Sequence, residues 1–347
     1  MDGPATAGIL RAFADMPDPR AHNVTHRLHD MIVIAACAVI CGADGWVEVE
    51  EFGESKLSFF KTFLDLSGGV PSHDTFGRVF ARLDPDAFER RFVAWVSALA
   101  GASGGKLIAI DGKAIRRSFE HAWDASGMVH LVSAFASANS VVFAQVATDA
   151  KSNEIEAIPR LLALLDLAGA TVTIDAIGCQ REIAGEVTER AGRYVLAVKE
   201  NQPVLHARVK AMLDEAILDR FAGMTHDRCA DETCGGHGRI EVRRAWVTDE
   251  VKWLGAELLA LWPGLRSIAA VECERTVAGG GTCSIERRYF ITSLAGNDAA
   301  AVLNAVRGHW GIENKLHWQL DVSFREDQCR VRVGHGAETS AACGGWP

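Results

Sequence analysis

Leu107-Ile108-Ala109-Ile110-Asp111-Gly112-Lys113 runs through four apolar residues and stops on an aspartate and a glycine. The apolar run does not alternate, so it fits a strand covered on both faces, with Asp111 set at the edge of a sheet. The same pattern recurs at Thr171-Val172-Thr173-Ile174-Asp175-Ala176. A third acid, Glu313, lies in a helical stretch where Leu303, Val306, Trp310, His317 and Leu320 recur at spacings of three and four. That spacing predicts one helix face with Glu313 on it, turned toward the core. An ionised carboxylate there is costly unless it is paired or bound to metal.

Working outward, Asp111 is followed by a basic loop with Lys113, Arg116 and Arg117. Segments 129–136 and 141–147 flank Ser137-Ala138-Asn139-Ser140 and predict a hairpin. A helix over 154–167 is interrupted by Pro159, with Asn153 and Glu156 spaced as a capping box. The strand ending at Asp175, a helix near 180–191 and a strand over 194–198 complete the series. Three antiparallel strands followed by helix-strand-helix-strand is the order of a ribonuclease H-like α/β core with a mixed sheet. Residues 201–300 begin with a helix at 203–218, then become glycine-rich with strands at 240–247, 266–275 and 286–291. They are expected to form a strand-rich insertion before the last core helix, 301–320, within a domain spanning 106–333.

Residues 1–105 predict an N-terminal helical domain. Its helices cover 28–39, 46–64, 72–83 with Ser72 as cap, and a segment from Asp84-Pro85 to about residue 99. The short helix 72–83 after a tight turn fits a helix-turn-helix entering a DNA groove. It fits equally a small bundle whose His73, Asp74, Arg78 and Arg82 are simply solvated. Residues 334–347 show no periodicity and are expected to be unstructured.

Composition narrows the class. A chain of 347 residues has room for about two domains with sizeable cores, and 48% hydrophobic with 23% charged residues is ordinary for a globular protein. The apolar run 31–41 is too short to span a bilayer, and no secretion signal opens the chain. Nine cysteines, an odd number without framework spacing, fit a reducing cytoplasm. A net charge of −9 argues against wholesale non-specific nucleic-acid binding but leaves room for a local basic surface.

Three converging carboxylates repel one another without a cation, and all-oxygen ligation selects Mg²⁺ or Mn²⁺. Two such ions about 4 Å apart suit phosphodiester cleavage and transfer. Each acid also has a plainer use: Asp111 ends a strand in a turn, Asp175 caps the next helix, and Glu313 pairs with Arg307, Lys315 or a buried arginine. Taken jointly in this element order, the metal reading is favoured. Lys113, Arg116 and Arg117 are candidates to neutralise phosphates, and Lys199-Glu200-Asn201-Gln202 lies where it could touch a substrate backbone. Trp310 and Trp318 either stack on an extruded base or belong to the core. His226, Cys229, Cys234 and His237 superficially form a zinc knuckle, with spacing that fits the usual structural sites poorly.

At these residues the chain resembles the H-repeat-associated, ISAs-type insertion-sequence transposases. The motifs are Ile110-Asp111-Gly112-Lys113, Lys151-Ser152-Asn153-Glu154-Ile155, Thr173-Ile174-Asp175-Ala176, Lys199-Glu200-Asn201-Gln202, Gly236-His237-Gly238-Arg239, and Arg307-Gly308-His309-Trp310-Gly311-Ile312-Glu313-Asn314 with Leu316-His317-Trp318-Gln319-Leu320-Asp321. Pro71-Ser72-His73-Asp74-Thr75-Phe76 resembles the associated helical domain. The likeness implies a DDE transposase that cuts and transfers DNA strands at insertion-sequence ends, with Asp111, Asp175 and Glu313 holding two Mg²⁺ or Mn²⁺ ions. It also implies terminal inverted repeats and target DNA as partners, a homodimer when synapsed on DNA, and action in the cytoplasm. Lys151, Arg307 and Lys315 join Lys113, Arg116, Arg117, Lys199, Asn201 and Gln202 as expected DNA contacts. Gly236–Arg239 is then a family motif and not a zinc site. After Val333 the sequence departs from the family's Asn- and Leu/Arg-rich helical end, so a truncated or frameshifted tail is expected. The alternatives are a non-catalytic DNA-binding remnant and a ribonuclease H-like nuclease without strand transfer.

Overall fold

The computed structural model describes residues 4–20, 24–43, 45–100, 107–114, 130–137, 141–148, 154–235, 239–277, 283–318 and 321. The chain forms two compact units, one from 1–104, 112–165 and 313–347, the other from 105–111 and 166–312. The tail 334–347 lies outside the described residues.

The first unit opens with six helices: α1 (Pro4–Phe13), α2 (Leu28–Ile40), α3 (Trp46–Ser55), α4 (Leu57–Phe60), α5 (His73–Phe80) and α6 (Pro85–Ala100). Helix α2 is apolar on every side, and ten of its residues are buried, as expected of a helix at the centre of a bundle. Phe13, Phe60, Phe76, Phe80 and Phe88 pack into the same core. The single helix expected over 46–64 is two, because Lys56 takes a non-helical backbone (φ −108°, ψ 15°) between α3 and α4. Ser72 stands at the start of α5 but its hydroxyl faces that of Thr75 at 3.1 Å instead of capping the backbone. Asp84 does cap, its Oδ1 accepting from Ala87 N–H at 3.1 Å.

Strand β1 (Leu107–Ala114) passes from the second unit into the first. The first unit then adds the antiparallel hairpin β2 (His130–Ala136) and β3 (Val141–Thr148), and α7 (Glu154–Ala163), which contains Pro159 and ends four residues earlier than expected.

The second unit is built on a sheet ordered β1-β4-β5-β9-β8-β7-β6. Strands β1, β4 (Thr171–Ile174) and β5 (Arg193–Val198) run parallel; β6 (Asp227–Gly235), β7 (Arg239–Thr248), β8 (Ser267–Val277) and β9 (Cys283–Thr292) are antiparallel. Helices α8 (Arg181–Glu189), α9 (Pro203–Leu218), α10 (Ala256–Ala260) and α11 (Ala299–Gly311) complete it. Helix α11 covers Val195, Ala245, Val247, Ala269, Val271 and Phe290 on one face. On the other face Asp214 of α9 accepts from Arg287 and from the Tyr289 hydroxyl, both at 2.6 Å. Burial opposes ionisation there, but bonds from Lys210, Tyr289 and Arg287 outweigh it and hold the Asp214 carboxyl down at about 2. The result is an α/β fold with a ribonuclease H-like element order, a helical N-terminal region, and a strand-rich insertion before the last core helix. Strand β6 was not expected: its residues are mostly polar, and a polar edge strand leaves little hydrophobic signal.

In the first unit α6 packs against β3, and burial there pushes the Glu89 carboxyl up to about 7. Oε1 of Glu89 and Oε1 of Gln145 are both buried without a partner among the described residues. Because the folded value lies above the unfolded one, the neutral acid is favoured by folding. Its stabilisation is complete below about pH 4.5 and is lost as pH rises through about 7. Glu89→Gln should therefore flatten the stability profile between those limits and raise stability at pH 8 by up to ~3 kcal/mol. Chemical denaturation at pH 5 and pH 8 measures this; equal differences between variant and parent at both values would contradict it.

Candidate active site

Ile110 of β1 pairs in register with Ile174 of β4, and the strands are parallel. The next residue on each is an aspartate, so Asp111 and Asp175 sit side by side on neighbouring chains, about 5 Å apart in backbone terms. Asp175 follows the end of β4, whereas β1 continues past Asp111 to Ala114 and so does not end at the acid as the sequence suggests. Ile108, Ile110, Val172 and Ile174 are at most 2% exposed, which fixes the backbone leading into the two acids. Both aspartates are half-buried. Oδ1 of Asp175 accepts from Ile177 N–H at 3.0 Å and caps the short turn Ala176–Gly178, the plainer use foreseen for it. The second oxygen of Asp175 has no hydrogen bond among the described residues.

The loop after Asp175 is held from the next strand end. Asn201 Nδ2 donates to Ala176 O at 2.5 Å, and Gln202 Nε2 donates to Cys179 O at 3.0 Å. The amides expected to touch substrate thus shape the turn beside Asp175. Burial pushes the Cys179 thiol up to about 12, with the Asp175 charge adding to it, so this thiol stays protonated.

Glu313 corrects an expectation. The inward stripe runs through Val302, Ala305, Ile312 and Leu316, all at most 7% exposed, one residue ahead of the stripe expected from sequence. Glu313 is therefore exposed, on a wide helical turn over Ile312–His317 that follows α11. Wide turns of this kind often mark functional positions. His309, one turn earlier, reaches Thr173 Oγ1 with Nδ1 at 3.2 Å. Burial holds its imidazole below the usual range, against the pull of the Asp175 carboxylate. Thr173 lies on β4 two residues before Asp175, which follows the strand end.

The expected basic contacts divide. Lys199 and Lys315 are exposed. Lys113 is enclosed and bridges to Asp321 at 2.7 Å, while Arg307 pairs with Asp231 of β6. Arg116, Arg117 and Lys151 lie outside the described residues. Trp318 is 56% exposed. Of the zinc-like array, His226 stacks on Phe221, Cys229 lies half-buried on β6, and the side chains of Cys234 and His237 lie outside the described residues. Among the described residues no group of three or more His, Cys, Asp and Glu side chains could hold a metal ion. The all-oxygen donors of Asp111 and Asp175 suit a hard divalent cation.

Glu154, which sequence reasoning passed over, packs in the first unit against Gly112, the residue that follows Asp111 in the chain. It is 6% exposed at the start of α7. A Cβ built on Gly112 would lie 2.6 Å from its Cδ and 2.7 and 2.8 Å from its two oxygens. His130 Nδ1 is 3.9 Å from Oε1. Only a residue without a side chain lets this carboxylate approach the β1 backbone so closely. The Asp-Gly pair and the Lys151–Ile155 motif were the available signals.

Residues 102–341 match the family described as "Transposase DDE domain", and residues 10–96 match "DDE_Tnp_1-associated". The chain is 39% identical over 342 residues to "H repeat-associated putative transposase YhhI" of Escherichia coli (strain K12), covering 95% of this chain and 86% of that protein. It is 44% identical over 284 residues to "Uncharacterized protein in dhlA 3'region" of Xanthobacter autotrophicus, covering 81% and 92%. Among solved structures, a piggyBac transposase synaptic complex with hairpin DNA aligns at a TM-score of 0.35 and 10% identity, over 91% of this chain and 64% of that one.

The Gly112–Glu154 approach makes a testable demand. Gly112→Ala should cost about 1–3 kcal/mol, because the methyl group meets a buried carboxylate. In a Glu154→Ala background the same change should cost less than about 0.5 kcal/mol, since the obstacle is gone. A double-mutant cycle by urea denaturation decides it; equal costs in both backgrounds would refute the contact.

Proposed function

The chain belongs to the transposase DDE-domain family, and from that premise we propose that it cuts and rejoins DNA strands at the ends of an insertion sequence. Asp111, Asp175 and Glu313 are the residues proposed to hold two Mg²⁺ or Mn²⁺ ions. The observation that carries the reading is the parallel register of Ile110 with Ile174, which sets Asp111, within β1, beside Asp175, where β4 ends at the carboxyl edge of the sheet. Open α/β sheets bind ligands at that edge.

The bound cations would supply the charge that activates a water or a 3′-hydroxyl and stabilises the leaving oxygen. The rest falls to the chain itself. Two ionised carboxylates on adjacent strands repel each other, so the edge is poised to accept positive charge. The Ile177 N–H fixes one Asp175 oxygen, and Asn201 and Gln202 fix the loop behind it. The rotamer is thereby settled before substrate arrives. The His309–Thr173 bond pins the end of α11 across β4, one turn ahead of Glu313. Exposed Lys199 and Lys315, with Arg116, Arg117 and Lys151, are the proposed phosphate contacts. Terminal inverted repeats and target DNA are the proposed substrates, bound by a dimer.

Cleavage of a labelled duplex bearing the element's terminal repeat, with Mg²⁺ or Mn²⁺ present, tests this. Asp111→Asn, Asp175→Asn and Glu313→Gln should each lower the rate at least about a hundredfold while leaving duplex binding within a few-fold of the parent. Glu313→Gln cutting at the parental rate would remove that residue from the site.

A further inference from the structure

Three arginines on three adjacent strands surround one indole in the second unit. Arg243 of β7, Arg275 of β8 and Arg288 of β9 place their Cζ atoms 5.9, 5.5 and 5.1 Å from the centroid of the Trp310 ring. The register explains the convergence. Arg243 lies opposite Cys273, Arg275 opposite Ser284, and Arg288 opposite Val271, so all three project from the face that α11 covers further along. Two acids on the same face bond these arginines and answer part of their charge. Glu241 Oε1 accepts from Arg275 Nε at 3.0 Å and also pairs with Arg243; Glu286 Oε1 accepts from Arg288 Nε at 2.7 Å.

Asp231, opposite Arg243 on β6, is taken up by Arg307, so among the described residues three guanidinium groups against two carboxylates leave one positive charge in excess, on a chain whose net charge is −9. A cluster with only the structural task of holding an indole gains nothing from that excess, since like charges held together raise its energy. Arg288 uses only Nε among the described residues, and its side chain is 39% exposed. Its two terminal nitrogens therefore form an open fork, the geometry that matches two phosphate oxygens.

We propose that Arg288, with Arg243 and Arg275 beside it on Trp310, forms a binding site for a phosphate of the DNA backbone on the inserted strands. This site rests on the DNA-handling reading above but is separate from the carboxylate edge. Glu286 acts as its internal competitor, occupying Arg275 and Arg288 until a phosphate takes its place.

The test is a salt series of duplex binding, read by fluorescence anisotropy with a labelled random-sequence duplex and the full chain. Arg288→Gln should weaken binding several-fold at low salt and reduce the slope of log K against log salt by about one. Arg288→Lys should restore the slope, because the charge returns without the fork. Glu286→Gln should tighten binding several-fold, although a purely structural pair would make that variant neutral or worse. Melting temperatures report whether each variant is folded, and the Glu286→Gln arm stands even where Arg288→Gln is not. A parent that binds duplex, with variants that leave affinity and slope unchanged or with weaker binding by folded Glu286→Gln, would overturn this site alone. A parent with no duplex affinity at all would overturn the DNA reading together with it.

Discussion

The pairing of β5 with β9 is the joint on which the second unit depends. On one side β5 continues the parallel ladder from β4; on the other its Val195, Leu196, Ala197 and Val198 face Thr292, Ile291, Phe290 and Tyr289 of an antiparallel strand. Two hydrogen bonds extend the joint past the ladder, one between backbones from Ser293 N–H to Tyr194 O at 3.1 Å and one from Tyr194 N–H to the Ser293 hydroxyl Oγ at 2.8 Å. Through it about a hundred residues of insertion return the chain to the sheet at the point where α11 must begin. The same helix then buries Val195 from the parallel strands with Ala245, Val247, Val271 and Phe290 from the inserted ones. Each large apolar side chain so enclosed contributes about 1.5–3 kcal/mol. The insertion and the core strands of this unit thus share one hydrophobic layer, and loosening either uncovers the other.

The carboxyl edge of the parallel strands shows how ordinary residues prepare a site. Asp175 is at once a cap for its own turn and a candidate ligand, two tasks that use different oxygens. The amides of Asn201 and Gln202 close the turn from outside, and buried Thr173 engages His309 behind it. None of these contacts is strong alone, at about 0.5–1.5 kcal/mol net per hydrogen bond. Together they remove the freedom of a loop that would otherwise have to be ordered during the reaction.

Much of this was legible in the sequence because buried parallel strands are written in unbroken apolar letters. Residues 107–110 and 171–174 could be read as strands, the second with its acid at the end, although β1 continues past Asp111 to Ala114, and Asp84-Pro85 announced α6. What escaped detection was written in weaker signals. Strand β6 carries Asp227, Arg228, Asp231 and Glu232, a composition that resembles a loop. The phase of α11 was misjudged because Trp310 looked like a core residue; it faces arginines instead, and His309 occupies the inward line between Ala305 and Ile312. The place of Glu154 depends on how closely α7 meets the β1 backbone, which no local pattern encodes. Lys113 and Arg307 found acidic partners far along the chain, Asp321 and Asp231, which only the tertiary fold could supply.

The composition of β6 has a consequence for strand register. Asp227 Oδ2 accepts from Ala299 N–H at 2.8 Å, and Asp231 pairs with Arg307, so the acids of this edge strand clasp α11 at both ends. A slip of one residue would turn Arg228 toward the helix and release both clasps at once. Most strands are kept in frame by the apolar side chains they would expose. Here the frame is kept by charges that would lose their partners, so this edge should be sensitive to salt and acid in a way the central strands are not.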